Sequence, residues 1–221
     1  MIKDLLGRIN TDSLLKRTAF LAIPVLLMPF GIACYYACGL GADPFSIFVD
    51  GEHVWLGWTY GQITLLNNLI LFTLMLIFGR KYIGVGTVVT VFTTGALIDF
   101  FRALIAETFP VPGSALWIRL LILAVGCVTF AVGVGFYISI EFGIGAAEFI
   151  SLFIVGKTGV SLKYVRIALD ALYVVIGYLM GGTVGVGTIV GIVATGPIVE
   201  WTLNRVKAPI ARVCGPLKRT E

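Results

Sequence analysis

IGVGTVVTVFTTGALIDFF, residues 83–101, lies without a gap over VGVGTIVGIVATGPIVEWT, residues 184–202. Gly84, Val85, Gly86, Thr87, Val89, Thr94 and Gly95 match Gly185, Val186, Gly187, Thr188, Val190, Thr195 and Gly196, and Asp99 stands against Glu200. Self-similarity over such a length indicates two copies of one unit. Working outward, GLGADPF at residues 39–45 resembles GIGAAEF at residues 143–149. Gly31, Gly39, Gly41, Ala42 and Phe45 match Gly135, Gly143, Gly145, Ala146 and Phe149 at one shift. Farther on, Asn67 falls against Asp170. The units are read as 18–104 and 116–203, joined by a turn-rich linker at 105–115. An amphipathic segment, 1–17, precedes them and a basic tail, 204–221, follows.

The solvent for these copies follows from composition. The chain is 58% hydrophobic and only 13% charged, with a mean hydropathy of +1.01. Apolar windows near 18–38, 61–79, 83–104, 116–139, 164–181 and 184–203 have about the length needed to cross a bilayer core. They lack the alternation of barrel strands, so an all-α polytopic membrane protein is expected, with about six transmembrane helices. Three crossings per unit, an odd number, would make the copies inverted repeats. Between the first two crossings of each lies a short apolar piece, 42–49 and 146–155, opened by the helix-break glycines Gly39, Gly41, Gly143 and Gly145. Each piece reads as a broken or re-entrant helix, or as one lying flat at the interface.

Charge sets the expected orientation. With both termini cytoplasmic, only Arg102 and Arg119 of the sixteen Lys and Arg residues are left outside. The net charge of +4 then reflects anionic lipid rather than nucleic acid. Cys34, Cys38, Cys127 and Cys214 form no CxxC pair and have no metal-ligand spacing with the lone His53. Neither a metal nor a cofactor is expected.

Ionisable groups inside a membrane are costly and tend to be functional. Asp43 and Glu148 sit at the repeated breaks, one position out of register. Glu141 closes the fourth window, and Arg166 and Asp170 lie in the fifth, with Asn67 as the counterpart of Asp170. These six are the expected substrate-binding or coupling residues. Bland roles compete: Asp43 before Pro44 is also an ordinary helix cap, and Asp170 can simply pair with Arg166 one turn away. Asp50, Glu52 and His53 read as solvated loop residues. Asp99 and Glu200 fall at helix ends near opposite surfaces, with gating as the less favoured role.

The tandem breaks, followed by GVGT and a last helix ending in TGALID or TGPIVE, resemble the YitT/YczE-like family of small bacterial membrane proteins over residues 31–201. The resemblance implies a bacterial inner-membrane location and brings no site residues with it. The expected activity is movement of a small polar or charged solute by alternating access, coupled to protons or cations. A capture subunit needing an energising partner, or a channel formed by a homodimer, is the alternative. No nucleophile, base and orienting acid occur together, so an enzyme is not expected.

Overall fold

The computed structural model describes residues 11–108 and 111–215, which contain helices and turns but no strand. The helices are α1 (Thr11–Cys38), α2 (Pro44–Leu56), α3 (Tyr60–Phe78), α4 (Val85–Thr108), α5 (Leu116–Ile140), α6 (Ala146–Thr158), α7 (Leu162–Leu179) and α8 (Val186–Cys214). Their order runs long, short, medium, long, and then the same again. Residues 1–10, most of the expected amphipathic segment, lie outside the described residues. Part of the expected tail is helical, since α8 runs on to Cys214.

This is a polytopic all-α membrane protein. Five helices, α1, α3, α4, α5 and α8, are long and apolar enough to cross a membrane. The sixth expected crossing, α7, is a helix of 18 residues that carries Lys163, Arg166 and Asp170, and it is not among these five. It nevertheless runs between opposite ends of the bundle. Its start follows α6, whose Phe153 packs against Phe78 at the end of α3 with centroids 5.3 Å apart. At its other end Gly177 abuts Ile47 and Gly51 of α2.

Helices α1 and α5 form the central antiparallel pair. They approach closely: a Cβ on Gly31 would sit 2.7 Å from the Gly126 carbonyl, and one on Gly126 3.0 Å from that of Gly31. Each helix also caps the other. Arg119, near the start of α5, donates to the carbonyls of Cys38 (2.7 Å) and Gly39 (3.0 Å) at the end of α1. Arg17, near the start of α1, donates to the carbonyl of Ile140 at the end of α5 and to that of Gly215 (2.7 Å). Free carbonyls at a helix end need such donors, above all away from water. Arg17 and Arg119, like Cys38 and Ile140, differ by 102 positions. That offset recurs below, and the two ends of the bundle are named here after these arginines.

Local sequence explains the short helices. Asp43 accepts from the Ser46 amide (3.2 Å) and hydroxyl (2.6 Å), Pro44 opens α2, and Gly57 at φ 70° ends it. Thr59 and Gln62 close a capping box on α3. Ser161 stands at the equivalent start of α7, again 102 positions on. Gly159 at φ 70° ends α6 as Gly57 ends α2.

Candidate functional site

The two breaks are held by reciprocal contacts. After α1, Gly39 (φ 58°) and Gly41 (φ 93°) are left-handed; after α5, Glu141 (φ 54°) and Gly143 (φ 127°) are. The Gly187 amide donates to the Leu40 carbonyl at 2.8 Å, and the Gly86 amide to the Phe142 carbonyl at 2.9 Å. Each GVGT segment therefore receives the break of the other half. Within it, Thr188 and Thr87 each accept from the glycine amide three residues earlier at 3.2 Å. The threonine hydroxyl of the first half also donates to the Ile144 carbonyl at 2.8 Å.

These contacts correct the expected register. The glycine letters pair Gly39 with Gly143 and Gly41 with Gly145, but backbone conformation pairs Gly39 with Glu141 and Gly41 with Gly143. Asp43 then corresponds to Gly145, and Glu148 to Ser46, so the acids are three positions apart rather than one. The glycines also differ in what they do. A Cβ on Gly41 would lie 2.7 Å from the Gly185 nitrogen in a left-handed conformation, whereas Gly145 is at φ −61° and its Cβ would meet only the flexible Glu148 side chain. Gly41→Ala should destabilise the protein by about 2 kcal/mol or more. Gly145→Ala should cost under about 1 kcal/mol. Thermal unfolding of the purified variants in detergent measures both.

The acids converge although their positions differ. Asp43 caps α2 directly, as the ordinary reading expected. Glu148 is the third residue of α6, with its carboxylate folded back over Gly145. Each short helix thus carries one carboxylate at its N-terminus, where the helix dipole favours negative charge. The two starts meet inside the bundle: Phe45 packs on the apolar cluster that contains Ala146 and Phe149. Asp43 lies beside the second turn of α8, with its Cα 3.4 Å from where a Cβ on Gly191 would be.

Helix α7 brings the remaining charge. Arg166 and Asp170 pair at 3.7 Å, and Asp170 lies within electrostatic range of Asp43. Tyr173 packs on Phe45 (5.3 Å) and Phe48 (5.7 Å), within range of Asp170, Arg166 and Glu148. Four of the six expected residues, Asp43, Glu148, Arg166 and Asp170, therefore share one region. The other two lie elsewhere. Glu141 pairs with Lys207 at 3.0 Å on the exposed Arg17 end, because its left-handed backbone turns it out of α5. Asn67 donates to Glu52, and the aligned caps Thr59 and Ser161 put Asn68, not Asn67, opposite Asp170.

Sequence reasoning missed two tyrosines. Tyr35 and Tyr137, 102 positions apart, are 1% and 6% exposed, and neither hydroxyl has a hydrogen-bond partner among the described residues. Tyr35 lies beside Cys127 and Thr195, whose own hydroxyl is also unpaired; Tyr137 lies beside Thr87 and Thr90, within electrostatic range of Glu148. An unmade buried hydrogen bond costs about 1–3 kcal/mol, so such groups mark places suited to water or a polar solute. The constant offset was the signal that would have found them.

Asp50 is a second correction. It is buried, accepting from the Tyr60 hydroxyl and the Thr183 amide, each at 2.6 Å, because α2 turns it inward against the loop before α8. Glu52 holds Asn67, and His53 Nδ1 lies 2.6 Å from the Trp58 carbonyl. A cavity of about 40 Å³ lies between Asp50, Tyr35, Tyr36, Tyr60 and the first break. A larger groove, about 430 Å³, runs between α6 and α7 and is lined mainly by apolar side chains, among them Ile154, Val165, Leu169 and Leu172.

Residues 15–204 match a family model described as a family of unknown function, DUF6198. The chain belongs to that family. It is 26% identical over 193 residues to the uncharacterized membrane protein YczE of Bacillus subtilis, covering 87% of each chain. It is also 26% identical over 188 residues to the uncharacterized protein YyaS of that organism, covering 82% of this chain and 92% of the other. An uncharacterized protein of Haemophilus influenzae is 22% identical over 191 residues, covering 86% and 84%. No solved structure matches. These relatives agree with the resemblance drawn from the breaks and the GVGT segments.

Proposed function

We propose that this family member carries a small cationic solute across the bacterial inner membrane by alternating access between two inverted halves, with protons as the counter-species. The supporting observation is the reciprocal docking of each break on the other half's GVGT segment, which brings two carboxylated helix starts together inside an apolar bundle. Broken helices meeting at the interface of two related halves are a recurring carrier arrangement. Three carboxylates, Asp43, Glu148 and Asp170, against one guanidinium, Arg166, favour positive cargo. The Lys and Arg bias supports a cytoplasmic Arg17 end.

Reconstitution in liposomes tests this reading. An imposed proton gradient should drive saturable uptake of amines from a screening panel, and preloaded solute should give counterflow. Asp170→Asn should keep counterflow while removing dependence on the gradient, because the amide keeps the shape and cannot titrate. Conductance without saturation would favour a channel, and tight binding without any flux would favour a capture subunit.

A further inference from the structure

The two halves are not fastened alike. At the Arg119 end, the Thr59 hydroxyl donates to Asp99 Oδ2 at 2.6 Å and the Gly61 amide to Asp99 Oδ1 at 2.9 Å. These bonds pin the start of α3 to α4. Gly61 and Gly95 are buried against each other, and a Cβ on either would run into the other's carbonyl oxygen.

The equivalent residues in the second half are present but apart. The cap offset of 102 puts Ser161 and Lys163 in the places of Thr59 and Gly61. The GVGT offset of 101 puts Gly196 and Glu200 in those of Gly95 and Asp99. All four are exposed, and nothing lies within 4 Å of where a Cβ on Gly196 would be. Among the described residues neither Lys163 nor Glu200 enters an ion pair. Helix α7 scarcely touches α8, whereas α3 packs along α4; α7 instead lies against α2, more closely than α3 lies against α6.

We infer that Ser161, Lys163 and Glu200 form a latch that closes the Arg17 end when the Thr59–Asp99 fastening opens. A hydroxyl and an ammonium suit a carboxylate, and Gly196, with nothing near it, leaves room on α8 for the Lys163 side chain that stands in place of Gly61, at a wider spacing than that of α3 on α4. The structure is then the state closed at the Arg119 end and open between α7 and α8. This inference rests on the alternating-access reading, since it names the group that alternates with Asp99.

Disulfide trapping in native membranes tests it, using Ser161→Cys with Glu200→Cys and a mild oxidant. Bridging requires Cα atoms to approach within about 7 Å. A cross-link should form. Adding Asp99→Ala, which removes two hydrogen bonds to a charged group, should speed it roughly tenfold. Gly196→Leu should prevent it while leaving the folded protein intact in detergent. No cross-link in either Asp99 background, with normal membrane insertion, overturns the latch. Because trapping needs no solute, a cross-link without any uptake would leave the latch standing and sink the transport reading; uptake without a cross-link would do the reverse.

Discussion

Gly187→Val should leave almost no folded protein, and Gly84→Val, in the other GVGT segment, should do the same. A Cβ at Gly187 would run into the Gly41 carbonyl, and one at Gly84 into the Phe142 carbonyl. Both obstacles are backbone, which cannot swing aside as a side chain can. The buried Gly187 amide would also lose its bond to Leu40. Overpacking of this kind costs about 1–3 kcal/mol, and an unpaired amide about as much again, which together approach the whole stability of many domains. Gly196→Val, with open space around it, serves as the control and should fold normally. Yield of monodisperse protein and its Tm in detergent distinguish the three.

Asp43→Asn should abolish uptake while leaving the fold almost untouched. Asparagine caps a helix about as well as aspartate, so the Ser46 amide keeps its acceptor and stability should change by less than about 0.5 kcal/mol. The charge facing Asp170 and Arg166 is removed. Loss of one partner of a desolvated charge pair costs about 2–5 kcal/mol, so cation affinity should fall by roughly thirtyfold or more. Asp43→Ala separates the two roles, since it should lose both the affinity and about 1 kcal/mol of stability. An Asp43→Asn protein that transports normally would reduce Asp43 to a cap.

The sequence made most of the helices legible, because long uncharged windows have few other outcomes. It also marked both breaks. Register was harder. Matching glycine to glycine ignored that Glu141 adopts the left-handed conformation that Gly39 adopts, so the match by backbone conformation lies two positions away from the match by letters. With the offset of 102, Arg17 meets Arg119, Tyr35 meets Tyr137 and Thr59 meets Ser161, none of which the glycine match brings out. Asp50 was illegible for a different reason. Its partners, Tyr60 and Thr183, come from separate parts of the chain, and nothing local shows that α2 turns it inward. The charge of α7 gave a mixed signal, since Lys163, Arg166 and Asp170 lower its hydropathy while its ends still reach opposite ends of the bundle.

If the two halves face opposite ways across one membrane, reagents applied from each side will label different loops. Single-cysteine variants at exposed positions, Trp55→Cys, Glu107→Cys and Thr183→Cys on one side and Lys81→Cys and Val160→Cys on the other, would be treated in intact cells with a thiol reagent that cannot cross the bilayer. Positions 55, 107 and 183 should react from outside, and 81 and 160 only after the membrane is opened. Finding 81 labelled together with 107, or 183 shielded together with 160, would mean that a helix assigned as a crossing does not cross, and would contradict the account.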